Sequence, residues 1–150
     1  MSATHALDRP AAPATPRAVT LAVRVVGAAL LLAMGGIHLK LWFDGYRDIA
    51  WIGPLFLVNA VVTVPAAAAV LLAPRRWLPW VALLAGLFAV GTLGGLVLSL
   101  TVGLFGFFES LSAPLVVPTI VVESAAFLLL SSFGVWHLWT ARQGRMRARG

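Results

Sequence analysis

Several side chains in this sequence are ionisable or amide-bearing and stand inside long apolar runs. Arg24, His38 and Lys40 fall in the first run, Asn59 in the second, and Glu123 and His137 in the fourth. Ionisable groups in hydrocarbon are costly and mark binding sites or ion and proton paths unless they pair with one another. A carboxyl group beside an imidazole can act in three ways. It can hydrogen-bond across helices and fix their register. It can relay a proton or coordinate an ion or a polar substrate. It can also contribute to a metal or haem site. Zinc sites use three or four protein ligands, more than this set supplies at one place. A haem held between His38 and His137 would need two groups that the sequence puts near opposite membrane faces. No metal and no cofactor is therefore expected, and the first two readings stay open.

The spacing of these groups is informative. Arg24 and His38 are 14 residues apart, and so are Glu123 and His137. That interval is nearly four helical turns, so each pair lies along one stripe about 21 Å long. Two antiparallel helices can bring His38 level with Glu123. Asn59 enters the same half of the membrane, and Glu109 follows in a loop. The expected polar cluster is His38, Asn59, Glu109 and Glu123. Lys40 and Arg24 lie close enough to helix ends to snorkel, and His137, between Trp136 and Trp139, reads as interfacial.

Such a cluster needs elements that hold it in a bilayer, and the composition supplies them. Of the 150 residues, 61% are hydrophobic and 11% charged, and the mean hydropathy is +0.96. Soluble domains carry about 25% charged residues. There is no cysteine, which removes disulfide, thiolate-metal and thiol chemistry. Apolar runs cover about 19–43, 52–73, 78–102 and 114–139. Each reaches the roughly 20 residues that cross about 30 Å of hydrocarbon. Backbone groups in lipid must be satisfied within the segment, so each run is a helix. The first is too long for a signal-peptide core and is read as retained. The expected fold is all-α: a four-helix transmembrane bundle over residues 18–141. A polar, Pro-rich disordered tail precedes it over 1–17, and a basic tail follows over 142–150.

Basic residues set the orientation. Arg9, Arg17, Arg75, Arg76, Arg142, Arg145, Arg147 and Arg149 share one side, whereas Lys40 and Arg47 on the other side stand among acids. The positive-inside rule places both termini in the cytoplasm, in the plasma membrane of a bacterium whose Arg-, Ala- and Gly-rich usage suggests a high-GC genome. Arg75, Arg76 and the C-terminal arginines are expected to contact anionic lipid. The net charge of +6 is thereby explained without nucleic acid. The tryptophans cluster near the predicted interfaces, as an aromatic belt does.

Small residues indicate how the helices meet. Gly91 and Gly95 form a GxxxG pair on the third helix, suited to close packing within the bundle or to a homo-oligomer or partner interface. Pro65 is expected to kink the second helix. Gly53-Pro54-Leu55 and Ala113-Pro114-Leu115 open the second and fourth runs 60 residues apart, compatible with two repeated helical hairpins. The loop Trp42–Trp51 can lie in the interface or fold over the cluster. Residues 103–109 can extend the third helix, turn back, or dock a lipid or quinone.

The short chain, the polar-tipped stretch Gly35-Gly36-Ile37-His38-Leu39-Lys40 and the Gly53-Pro54-Leu55 opening give a layout that resembles small bacterial DoxX-like four-helix membrane proteins. That resemblance implies an accessory subunit of a membrane redox or stress complex and transfers no catalytic residue. The sequence shows no nucleophile–base set, phosphate loop or metal-ligand motif, so a non-enzymatic role is expected: an accessory or interaction subunit of a membrane complex. A small oligomeric transporter or channel using the His/Glu site is the alternative, and a haem- or quinone-associated redox protein is the second.

Overall fold

The computed structural model describes residues 17–147. The N-terminal tail other than Arg17, and Arg149, lie outside the described residues. Helix α1 spans Arg17–Phe43, followed by a short 3-10 turn at Tyr46–Asp48. Helix α2 spans Ile52–Leu72, α3 Leu78–Thr101 and α4 Val116–Arg147. All four are long and apolar enough to cross a membrane, and the architecture is an all-α four-helix bundle. The helices have no polar face. Their outward residues, such as Val61, Leu84, Val121 and Leu128, are apolar and exposed, the pattern of helices solvated by lipid.

Helix boundaries differ from the sequence reading at both ends of α4 and at the start of α1, where Arg17 is already helical rather than part of a disordered tail. Helix α4 begins at Val116 rather than Pro114 and continues past Trp139 to Arg147. The segment Thr140–Arg147 contains no proline, and Ala, Arg, Gln and Met all propagate a helix well. Arg142, Arg145 and Arg147 are therefore exposed positions on a helix and not parts of a loose tail. At 32 residues α4 is long enough to extend beyond the hydrocarbon. Helix α2 runs without interruption through Pro65.

Helix α1 packs most extensively on α2, and α3 on α4, giving two hairpins. The α1–α4 seam joins them, and α2 and α3 meet less than any other neighbouring pair around the bundle. The core at the seam holds Leu31, Met34, Val70, Ala126 and Leu130, all fully or almost fully buried. Glycines permit the close approaches. Gly35 of α1 lies against Thr63 of α2, and Gly86 of α3 against Ser131 of α4. A methyl group on Gly134 would sit 2.7 Å from the Pro79 carbonyl oxygen of α3. The GxxxG pair does not take this role. A methyl group on Gly91 would meet nothing within 4 Å, and one on Gly95 only Leu104, at 3.7 Å. The expectation that Gly91 and Gly95 pack helices within the bundle is thus corrected: α3 contacts α4 through Ala82, Ala85, Gly86 and Ala89, the face opposite the cleft toward α2.

Arg24 also departs from its expected snorkelling role. Its guanidinium donates to the carbonyls of Val70 (3.2 Å), Leu71 and Ala73 (2.6 Å) at the end of α2. The last carbonyls of a helix have no partner of their own, and a cation there also complements the helix dipole. Arg24 therefore ties α1 to the C-terminus of α2.

The connections opposite Arg75 and Arg76 are ordered. Gly45 adopts φ 123°, a conformation suited to glycine. Gly53 packs so closely on the backbone of Arg47 that a methyl group would lie 2.8 Å from its Cα. After α3, Leu104–Phe107 forms a tight turn closed by two backbone hydrogen bonds of 2.8 and 2.9 Å. Phe105 and Gly106 both have positive φ, which identifies a type I′ turn. The Glu109 amide donates to the Ser99 carbonyl at 2.9 Å and pins the loop back onto α3.

Candidate functional site

A cavity of about 330 Å³ lies between the two hairpins in the half of the bundle nearer Tyr46. All four helices and the α3–α4 connection contribute to its wall. His38 from α1, Asn59 from α2, Glu109 from the α3–α4 connection and Glu123 from α4 all line it. The helices place them by register. His38 follows Met34 and Gly35 on the face of α1 that meets α2, Asn59 precedes Thr63 on the matching face of α2, and Glu123 shares a face with Thr119 and Ala126.

His38 is 8% exposed and its orientation is fixed. Its Nδ1–H donates to the Met34 carbonyl one turn earlier, at 2.9 Å. A carbonyl can only accept, so the neutral ring carries its proton on Nδ1 and presents the Nε2 lone pair to the cavity. The Phe56 ring meets the imidazole edge-on, with centroids 4.9 Å apart. Nε2 stands 3.8 Å from Glu123 Oε1, close enough for electrostatic contact but too long for a hydrogen bond.

Glu123 is completely buried and Asn59 is 3% exposed. Neither carboxyl oxygen of Glu123 and neither amide atom of Asn59 has a hydrogen-bond partner within the protein. Leaving a buried polar group unpaired costs about 1–3 kcal/mol, so these groups together are expensive. The hydroxyls around them do not relieve that cost. Thr63, Ser99 and Thr119 donate to carbonyls of their own helices at 2.7–2.8 Å. Thr92 does the same toward Ala89 at 2.9 Å. Their donors are used, and their oxygens remain available to accept.

The Tyr46 end of the cavity is closed. Tyr46 stacks on Phe56 (5.1 Å, 13° between planes) and meets Phe107 edge-on at 5.9 Å. Its hydroxyl donates to Glu109 Oε2 at 2.8 Å, while the Ser110 amide donates to Oε1 at 2.9 Å. Burial and the adjacent Glu109 carboxyl push the Tyr46 phenol up to about 12, so it stays a donor at any physiological pH. Glu109 thus belongs to the closure of the site and does not touch the His38–Glu123 pair through any hydrogen bond.

The remaining groups singled out from the sequence lie elsewhere. Gly91 and Gly95 line the cavity as its lightly covered side. Arg75, Arg76, Arg142, Arg145 and Arg147 are exposed at the opposite end of the bundle. His137, toward that end of α4, packs against Phe133 (4.3 Å) and Trp136 (5.0 Å). Among the described residues, no group of three or more His, Cys, Asp or Glu side chains could hold a metal ion. The sequence reading did not single out Tyr46, Phe56, Thr92 or Phe107. Tyr46 carried one usable signal, because it is the chain's only tyrosine and sits in an aromatic, charged loop. Phe56 and Thr92 carried none, since an aromatic or hydroxyl residue in an apolar run is ordinary.

No protein family, curated protein or solved structure matches the chain.

Proposed function

We propose that this chain is an accessory subunit of a membrane complex, and that its contribution is to bind a small hydrogen-bonding molecule between its two hairpins. One observation carries this reading: Asn59 and Glu123, whose buried side-chain polar atoms have no partner in the protein, line one cavity. Buried polar atoms in proteins are nearly always paired, and a polar ligand or ordered water would complete these. The cavity volume lies at the lower end of the range for small-molecule sites. The wall supplies an acid, an imidazole and an amide, with an aromatic closure, which suits recognition more than covalent chemistry.

In this reading the arginine-rich end faces the cytoplasm by the positive-inside rule and contacts anionic lipid, so the cavity opens in the outer half of the plasma membrane. Single cysteines can be introduced without background, because the chain has none. Cysteines at positions 45 and 110 should react with an impermeant maleimide from outside, and one at position 75 only after the membrane is opened. The reverse pattern would invert the cavity's side.

The direct test is Asn59→Leu, read by native mass spectrometry from lipid nanodiscs. The wild type should carry a small molecule that Asn59→Leu loses while remaining folded. Indistinguishable spectra, together with a more stable variant, would leave Asn59 as a packing defect and end the proposal.

A second reading, a proton or ion path, draws on the 3.8 Å approach of His38 Nε2 to Glu123. It requires that Glu123→Gln and His38→Ala each abolish a proton-driven flux in proteoliposomes without unfolding the bundle. Flux that persists in both variants would remove it.

A further inference from the structure

We infer that the cavity is loaded sideways from the bilayer, through the cleft between α2 and α3, by a single-tailed amphiphile with an uncharged phenolic head. This rests on the binding reading above and specifies the route and chemical class.

The route follows from how the cavity is walled. Three of its sides are tight: the α1–α2 and α3–α4 interfaces are the most extensive in the bundle, and the α1–α4 seam is filled by Leu31, Met34 and Leu130. The Tyr46 end is shut by the Tyr46–Glu109 hydrogen bond and the stacked Phe56. The α2–α3 side is different, because of the four neighbouring helix pairs around the bundle this one has the smallest interface. Leu55 (45% exposed) and Val58 (55%) of α2, and Gly91 of α3, line the cavity and are also exposed outward. Gly91 lies about 15 Å along α3 from its Thr101 end, so this mouth opens at the depth of lipid chains and not of water. With no side chain, Gly91 leaves the lip bare, and nothing within 4 Å would contact a methyl group there.

The class follows from charge and wall chemistry. The ionisable residues facing the cavity are His38, Glu109 and Glu123, with no Lys or Arg among its lining. Arg24 is engaged at the far end of α2, and Lys40 is paired with Asp44 at 2.7 Å. A phosphate head would therefore meet acids and no cation. An uncharged head that both donates and accepts hydrogen bonds would meet the Asn59 amide, the Glu123 carboxyl and the His38 Nε2 lone pair. Phe56, Phe88 and Phe107 line the same space, and aromatic faces favour an aromatic head. The cavity holds such a ring but not a long chain, so the tail must lie in the mouth beside Val58 and Gly91.

The experiment uses a 4-alkylphenol with a diazirine in its chain, irradiated with the full-length protein in nanodiscs. Its phenyl phosphate counterpart and a diazirine monoacylglycerol are tested alongside. The phenol should label peptides carrying Leu55–Val58 and Gly91–Gly95. Labelling should fall by about tenfold in Gly91→Trp, which plugs the lip, and in Val58→Trp, which plugs it from the other side, and should be lost in Asn59→Leu. Labelling that survives both tryptophan variants but not Asn59→Leu would overturn the sideways route and leave the binding site standing. Labelling unchanged in all three variants would overturn both. Equal labelling by the phosphate or the monoacylglycerol would overturn the phenolic class.

Discussion

Gly134 and Gly91 allow the packing to be tested with one chemical change at two places. Replacing a helical glycine by alanine raises helix propensity by about 0.5–1 kcal/mol wherever it is made, so a comparison of the two sites cancels that gain. What differs is the neighbourhood. At Gly134 the new methyl carbon would lie 2.6 Å from Leu83 Cγ and 2.7 Å from the Pro79 carbonyl oxygen, about 1 Å inside ordinary contact distance. Leu83 can change rotamer, but the Pro79 oxygen is backbone, so α3 and α4 must separate. Overpacking of this kind costs about 1–3 kcal/mol. At Gly91 the methyl carbon meets nothing within 4 Å. Gly134→Ala should therefore be less stable than Gly91→Ala by about 1–3 kcal/mol. Titration of folded protein with SDS in mixed micelles, followed by the fluorescence of its 6 tryptophans, measures the difference. Equal midpoints, or a lower midpoint for Gly91→Ala, would refute the packing described. A Gly91→Ala loss that grows with protein concentration would instead place Gly91 against a second copy of the chain.

Other outcomes follow from the same contacts. Arg24→Met should destabilise by about 1–3 kcal/mol by releasing the α2 carbonyls, and Arg24→Lys should recover only part of this, since an ammonium cannot span the separate acceptors as a guanidinium does; SDS titration reads both. Tyr46 is the only tyrosine, so the absorbance of its phenolate can be followed directly. Its midpoint should lie near 12 and move toward the ordinary value near 10 in Glu109→Gln, while staying above it because burial remains. Its pKa is raised on folding, so the stabilisation it reflects is complete below pH 10 and fades as pH climbs toward 12; a midpoint at 10 in the wild type would show that the closure is open. Phe105→Asn should stabilise by up to about 1 kcal/mol, because Asn-Gly suits a type I′ turn whose first central residue has φ 51°; a lower SDS midpoint would mean that the Phe105 ring, 5.9 Å from Trp51, contributes more than the backbone loses.

The number and type of helices were legible because lipid imposes a blunt rule: long apolar runs with no polar face must be helices that close their own hydrogen bonds. The meeting of His38 with Glu123 was legible for a related reason. Charged groups in hydrocarbon are too costly to scatter, and equal intervals on antiparallel helices bring them level. Arg24 was not legible, because a snorkelling arginine and one that caps a neighbouring helix occupy the same sequence position; only the place where α2 ends decides between them. Gly91 and Gly95 misled for the complementary reason. A GxxxG pair records that a helix face is flat, not what lies across it, and here a cleft does. Tyr46 meets Phe56, Phe107 and Glu109 of the cavity wall from a turn whose geometry depends on Gly45 and on Gly53 against Arg47, contacts that no periodicity encodes.

The division of the polar groups between the two hairpins bears on biogenesis. Asn59 belongs to the first hairpin and Glu123 to the second, and each hairpin is made of helices consecutive in the chain, so each can form its main interface as it leaves the translocon. The cavity exists only after the halves dock across the α1–α4 seam. A molecule bridging Asn59 and Glu123 binds the docked state alone and, by mass action, favours it. Such a ligand would act as an assembly factor, raising the yield of correctly inserted protein when added during synthesis and leaving the isolated hairpins unaffected.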